Sequence, residues 1–377
     1  MMDTMLDKTT DGIESSSGLQ FITLPHPGIV DANERARLLE NPGFGRVFTD
    51  HMVTIRYNEA EGWHDARVEP RAPFQMDASS AVLHYAQEIF EGMKAYRLAD
   101  GDTALFRPEA NARRFQSSAR RMAMAELPEA LFLESIRALV RADIDWIPTI
   151  PGGSLYLRPF MIASEVFLGV KPSSEYLYAV IASSVGAYFK GGAPAVTLWV
   201  SEDYTRAAPG GTGAAKCGGN YATSLVAQAE AIRQGCDQVL FLDAVERRWI
   251  EELGGMNLYF VHDDGTVVTP ELSGTILEGI TRSSIVELCG KLGHRVEERR
   301  FSVDEWRDGV RSGRITEVFA CGTAAVVTPV GTLKWRGGEV AGATEEAGPV
   351  TAKIRQTLVD IQYGRAEDTF GWMHRVL

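Results

Sequence analysis

Midway along the 377-residue chain, the run VGAYFKGGAPA (185–195) brings three glycines and a proline together. Such a run sustains neither helix nor strand, because glycine loses the most backbone freedom on ordering and proline has no N–H to donate. It predicts an interdomain connection, and a chain of this length is expected to form two compact units. Residues 1–184 are therefore expected to be a smaller N-terminal α/β domain and residues 196–377 a larger C-terminal domain. The first 18 residues, polar and terminal, are expected to be mobile.

On either side of that break the pattern mixes helix and strand without a regular βαβ repeat, so the fold class is α/β of the α+β kind. HMVTIRYN (51–58), SLYLRPFMIAS (154–164) and YLYAVIASS (176–184) read as strands from their β-branched and aromatic content. ALFRPEANARRFQSSARRMAM (104–124) reads as a short strand turning into a helix, and residues 127–147 as a second amphipathic helix. Beyond the break, VTLWVS (196–201) and QVLFLD (238–243) read as strands. NYATSLVAQAEAIRQGC (220–236) reads as one helix stopped at Gly235. Residues 248–270 suggest a meander turning at 263–265, a further helix is expected from about Thr281, and 315–333 is strand-rich.

Composition excludes several function classes. Fifty acidic against 38 basic residues give a formal charge of −12, and no long basic run offsets it, so neither nucleic acid nor an anionic membrane is an expected partner. The four cysteines show no spacing of a zinc site or redox pair, and no metal is expected. The N-terminal stretch has no apolar core of signal-peptide length and nowhere do about 18 apolar residues run together. A cytoplasmic location is the expectation.

The chemistry-bearing signal is GTGAAKCGGNY (211–221). Lys216 lies among small residues, with no other charge between Arg206 and Glu230, and the glycines let backbone approach a ligand closely. Desolvation would lower the pKa of such a lysine, making its neutral amine a carbonyl nucleophile, the chemistry of a Schiff base. An ordinary glycine-rich turn remains open on this segment alone. A phosphate-cradling P-loop does not fit, since Ala215 and Cys217 stand where glycine and Ser or Thr are required.

Taken together, LHYAQEIFEGMKAYR (83–97), LYLRPF (155–160), LGVKP (168–172), VGAYFKGG (185–192), the lysine loop, IEELGGMN (250–257), GTILEGITR (274–282) and EVFACGTAAVVTPV (317–330) resemble the branched-chain amino acid aminotransferases. These are pyridoxal 5′-phosphate enzymes of fold type IV, and the spelling is nearest the actinobacterial members. The resemblance runs from about residue 48 to the C-terminus. It implies two domains with the cofactor between them, a homodimer, and ping-pong transfer of an amino group between leucine, isoleucine or valine and 2-oxoglutarate. The expected partners are thus small molecules: branched-chain amino acids, glutamate and 2-oxo acids.

Carried onto this sequence, the resemblance makes Lys216 the catalytic amine that holds the cofactor and moves the substrate proton. Tyr221 would face the cofactor's 3′-oxygen. Glu252 would face the pyridine nitrogen, with Glu251 on the opposite, outward face of the strand. The phosphate would take Gly279, Ile280 and Thr281 at a helix N-terminus, Arg114 rather than its neighbour Arg113, and Thr323. Thr323 and Ala324 would meet the substrate carboxylate. Phe44, Tyr85, Phe90, Tyr156 and Tyr188 would wall the side-chain pocket, Arg158 would receive the distal carboxylate of glutamate, and Val170 would come from the other subunit. Read without the family, these aromatics are core residues and Arg158 is a structural partner of an acid such as Glu165.

Gly255 and Cys321 stand where animal members usually carry Thr and Ser, and Ala325 and Thr328 replace the paired cysteines of the mammalian redox switch. Thiol regulation of that kind is not expected. The alternatives are another fold type IV activity, such as a D-amino acid aminotransferase or aminodeoxychorismate lyase, and a catalytically idle cofactor-binding protein.

Overall fold

The computed structural model describes residues 18–186, 195–342 and 346–376. Most of the central run expected to be a connection, Tyr188 within it, and all but the last of the 18 N-terminal residues lie outside the described residues. Two mixed sheets organise the rest, with no strand shared between them.

The first sheet runs in the order Ile22–Thr23, Gly62–Pro70, His51–Asn58, Glu175–Val185, Ser154–Ala163, Met93–Arg97, Thr103–Phe106 and Met373–Arg375. Val47–Phe48 and Glu88–Phe90 pair off this path. In Ser154–Ala163 burial alternates, Leu155, Leu157, Pro159 and Met161 turning inward and Tyr156, Arg158, Phe160 and Ile162 lying half-exposed on the other face. That period of two leaves one face for the core and one for a site. Helices Pro108–Arg121 and Glu129–Ala142 cover the core face. There Phe115 meets Phe132 and Tyr178 at 5.5 and 5.6 Å between ring centroids.

The second sheet follows Ile250–Leu253, Gln238–Leu242, Val196–Ser201, Val326–Trp335, Ile315–Gly322, Asn257–His262, Val267–Thr269 and Val296–Glu298, with Gly338–Ala341 beside Val326–Trp335. Alternation divides its side chains between two cores. Leu258 and Phe260 pack with Phe301 and with Trp306 of helix Val303–Arg311, whereas Tyr259 and Phe319 pack with helices Ile280–Lys291 and Pro349–Gln362.

The meander read over 248–270 holds only at its turn: Asn257–His262 pairs with Val267–Thr269 and Ile315–Gly322, whereas Ile250–Leu253 pairs with Gln238–Leu242 at the far edge. Two further sequence expectations change. The segment read as one helix over 220–236 is two, Gly218–Ala222 and Leu225–Arg233. Thr223 and Ser224 hydroxyls donate back to the carbonyls of Asn220 and Tyr221, at 3.0 and 2.7 Å, and such back-bonding competes with helix continuation. Secondly, the last strand, Met373–Arg375, leaves the C-terminal half and pairs antiparallel with Thr103–Phe106 of the first sheet. Among the described residues no helix is long and apolar enough to cross a membrane.

Candidate active site

The lysine loop is built from within and held from both sides. The Asn220 amide donates to the carbonyls of Thr212 and Ala215, each at 2.8 Å, and its oxygen accepts from the Thr212 hydroxyl at 2.7 Å. One side chain thus gives the turn its shape. From the first sheet, Phe90 N–H donates to the Lys216 carbonyl at 3.0 Å, and Lys216 N–H donates to Ser118 Oγ at 2.9 Å. The loop therefore sits against a strand and a helix of the N-terminal half, with Ala215 and Cys217 in the core they share.

Lys216 Nζ donates to the Tyr221 hydroxyl at 2.7 Å and lies 4.7 Å from the Phe90 ring centroid. Burial, with help from the charge of Arg114, brings the ammonium pKa down to about 8. At pH 7 about a tenth of such an amine is neutral, far more than in a solvated lysine. Burial likewise pushes the Tyr221 hydroxyl up to about 12, reinforced by Glu252, so Tyr221 keeps its proton.

Glu252 is 2% exposed and forms an ion pair with Arg206, while its Oε1 accepts from Leu277 N–H at 2.8 Å. Burial raises its carboxyl against the opposing pull of Arg206. The expectation that Glu251 faces outward is overturned: it is 5% exposed and accepts from the Thr275 hydroxyl. Its strand is covered on both sides, so alternation separates the two carboxylates without sending either to solvent.

Arg114 is the inward member of its pair, Arg113 instead facing Glu129 at 3.7 Å. Its Nε and Nη2 grip both oxygens of Glu91 at 2.7 and 2.8 Å, and Nη1 donates to the Glu278 carbonyl at 3.0 Å. Burial works to raise the Glu91 carboxyl, but Arg114, Lys216 and Asn111 hold it below its ordinary value. Glu278 leads directly into Gly279, the N-cap of helix Ile280–Lys291, an end that no side chain caps. The first N–H groups of that helix, from Ile280 and Thr281, are the kind that receive an anion.

Thr323 and Ala324 form the turn between strands Ile315–Gly322 and Val326–Trp335. Lys94 reaches this turn from the first sheet, donating to the Ala324 carbonyl at 2.9 Å; Thr323 shares a small cavity with Ile280 and Thr281. Phe44, Tyr156 and Arg158 line a cavity of about 210 Å³ with Phe48 and Ile181. Arg158 Nη2 donates to the Tyr156 hydroxyl at 2.8 Å, and its guanidinium carbon lies 4.7 Å from the Phe90 centroid. Glu165, the structural partner considered for it, instead accepts from Lys171 at 2.6 Å.

Two predicted pocket residues do not join the others within this chain. Tyr85 ends the short helix Ala81–Tyr85 and stacks on Phe167 at 6.3 Å, and Val170 is 91% exposed. Sequence reasoning passed over Glu91, Lys94 and Glu88, although all three lie in the quoted LHYAQEIFEGMKAYR string, and it used Arg206 only to bound a charge-free stretch. Lys94 alone carried a local signal, a charge within a strand between Met93 and Ala95; Glu88, Glu91 and Arg206 have neighbours that composition reads as surface.

The family described as Amino-transferase class IV matches residues 88–333. The probable branched-chain-amino-acid aminotransferase of Streptomyces coelicolor is 58% identical over 350 residues, 93% of this chain and 96% of that protein. The branched-chain-amino-acid aminotransferase of Mycolicibacterium smegmatis is 56% identical over 366 residues, 96% of this chain and 100% of that protein. Among solved structures, the T.th. branched-chain amino acid aminotransferase superposes with a TM-score of 0.71 at 31% identity, covering 86% of this chain and 98% of that one. That protein was crystallised with pyridoxamine 5′-phosphate, with N-(5′-phosphopyridoxyl)-L-glutamate and with 4-methylvaleric acid.

Proposed function

Because the chain belongs to the class IV aminotransferase family, we propose that it transfers the amino group between branched-chain L-amino acids and 2-oxoglutarate. The observation that carries this reading is Lys216: a lysine brought to a pKa of about 8, hydrogen-bonded to Tyr221 and ringed by two buried acid–arginine pairs.

These residues fit pyridoxal 5′-phosphate. When bound, the group supplies a carbonyl carbon that condenses with an amine and a ring that withdraws electrons from the substrate α-carbon. Lys216 provides the amine that holds it and, once freed, a base close enough to move the α-proton. The Tyr221 hydroxyl fixes the orientation of the lysine amine. Glu252, kept in place by Arg206 and Leu277 N–H, offers a carboxylate to a protonated ring nitrogen. Gly279, Ile280 and Thr281 with Arg114 and Thr323 meet the phosphate, and the Thr323–Ala324 turn meets the substrate carboxylate.

The cavity walled by Phe44, Tyr156 and Arg158 takes the substrate side chain. Aromatic faces bury an aliphatic group by area, while Arg158 and the tyrosine hydroxyl receive the distal carboxylate of glutamate. Phe90 closes the pocket toward the lysine. The two sheets are read as two domains meeting at this site, with the boundary within 185–195. The protein works in the cytoplasm as a homodimer. The apolar patch of Leu83, Val166, Leu168 and Val170, exposed by 59, 57, 69 and 91%, supports the dimer and brings Tyr85 and Val170 toward the partner's pocket.

The test is a stereospecific assay. Protein loaded with pyridoxal 5′-phosphate is given 2-oxoglutarate and L-leucine, L-isoleucine, L-valine or D-alanine in turn. Glutamate is expected from the three L-amino acids, none from D-alanine, and borohydride reduction is expected to fix the cofactor on the Lys216 peptide. Turnover of D-alanine alone, or label on another lysine, would refute the reading.

A further inference from the structure

Two of the acids around Lys216 are taken by arginines, while Glu88 and Arg158 form no ion pair among the described residues. Glu91 is gripped by Arg114 and Glu252 by Arg206. Arg158 and Glu88 remain. Among the described residues Arg158 forms no salt bridge; Nη2 donates to Tyr156 and the buried Nε has no partner. We propose that Glu88 is a specificity-determining residue: a counter-ion held at a distance from Arg158, which balances the pocket for an aliphatic side chain and opposes the distal carboxylate of glutamate or 2-oxoglutarate. The proposal rests on the assignment of Arg158 to that pocket.

Strand geometry puts the two groups on one side. In Glu88–Phe90 the middle residue Ile89 is fully buried while Glu88 and Phe90 are half-exposed on the opposite face. Phe90 lies across from Phe160 and Glu88 across from Ile162, and Arg158 precedes Phe160 by two on the same face. The Phe90 ring stands beneath the Arg158 guanidinium. Burial raises the Glu88 carboxyl, and the charge of Arg158 and the Gly218 N–H act in the opposite sense, so the two side chains share a field without touching.

What keeps Glu88 there is the lysine loop itself. Its Oε1 accepts from Gly218 N–H, two residues beyond Lys216, and a Cβ at Gly218 would overlap the carboxylate. The bond fixes the carboxylate while leaving Arg158 free to donate elsewhere. For an apolar substrate side chain, a compensated Arg158 lowers the penalty of facing an isolated cation. For a dicarboxylate, the incoming anion gains Arg158 but meets Glu88, and the two contributions oppose each other.

The separating variant is Glu88→Gln, because an amide oxygen still accepts from Gly218 N–H but carries no charge. The probes are glutarate and 4-methylvalerate, which share one carboxylate and differ at the far end. Titration calorimetry of wild-type and variant protein gives their Kd values, and a melting curve reports stability. In Glu88→Gln glutarate should bind about tenfold more tightly. The 4-methylvalerate Kd should hold or weaken slightly, with the melting temperature unchanged. Half-reactions with glutamate and leucine should shift in the same directions. Equal changes for both ligands, or none, would overturn the proposal and reduce Glu88 to a brace for Gly218. Failure of the wild-type protein to bind either ligand would instead strike the functional reading, and this proposal with it.

Discussion

Lys94 and Lys216 are two buried lysines with unequal company. Lys216 has a tyrosine hydroxyl and lies within the fields of Glu91 and Arg114, whereas Lys94 has the Ala324 carbonyl, and burial alone brings its pKa down to about 8 from 10.5. The folded protein therefore binds the Lys94 proton less tightly than the unfolded chain does. Below pH 8 both states are charged and the folded state bears the full desolvation cost; between pH 8 and 10.5 the folded amine is neutral first, and the cost fades as pH rises. Lys94→Met should accordingly raise stability at pH 7 by about 2 kcal/mol, the shift being worth roughly 3 and the lost hydrogen bond about 1. The gain should shrink at about pH 9.5 when both proteins are compared by denaturant titration. A variant less stable than wild type at both pH values would show that the tether to the Thr323–Ala324 turn outweighs the buried charge.

At the scale of elements, the phosphate end of the site depends on a glycine for space rather than for conformation. Gly279 has φ −66°, which any residue adopts, but a Cβ there would overlap the Asn257 side-chain oxygen. The Asn257 amide in turn donates to the Leu277 carbonyl at 3.2 Å, so helix entry, strand Asn257–His262 and Glu252's partner Leu277 are one packed unit. Gly279→Ala should cost roughly 1–3 kcal/mol of stability through overpacking and weaken pyridoxal 5′-phosphate binding by at least about tenfold. Adding Asn257→Ser should recover much of both, read from melting curves and cofactor titration. Recovery of stability without recovery of affinity would place the phosphate elsewhere. The two helices after the lysine loop show where periodicity misleads: helical spacing over 220–236 gave no warning of the Thr223–Ser224 break, because a hydroxyl back-bond leaves the apolar period intact.

Over the whole molecule, one stretch of uncovered apolar surface gathers around helix Ala81–Tyr85 and the 166–170 segment. Leu83, Val166, Leu168 and Val170 stay exposed around Tyr85 and Phe167, a concentration that monomers rarely leave in water. On the proposed dimer, Leu168→Asp should weaken self-association at least about tenfold and lower activity at low protein concentration, since charge in a dry interface is costly. Sedimentation velocity across a dilution series checks it. An undiminished dimer would remove this segment from the interface.

The amino-acid order alone carried the lysine loop, the alternating strands and the strings of the family, because each is a local pattern: small residues permit close approach, and a period of two assigns faces. It named Lys216, Tyr221, Glu252 and Arg114 as a set, and the fold brings their side chains within one another's electrostatic reach. Pairing was decided in three dimensions. That Arg114 grips Glu91, that Arg206 meets Glu252, that Glu251 is buried and that Glu88 lies within the field of Arg158 all depend on elements that only folding brings together. So does the return of Met373–Arg375 to the first sheet. The reason is physical: hydrophobic period states which side of an element is covered, but a charge shows its environment only once burial has removed water and left it the neighbours that folding supplies.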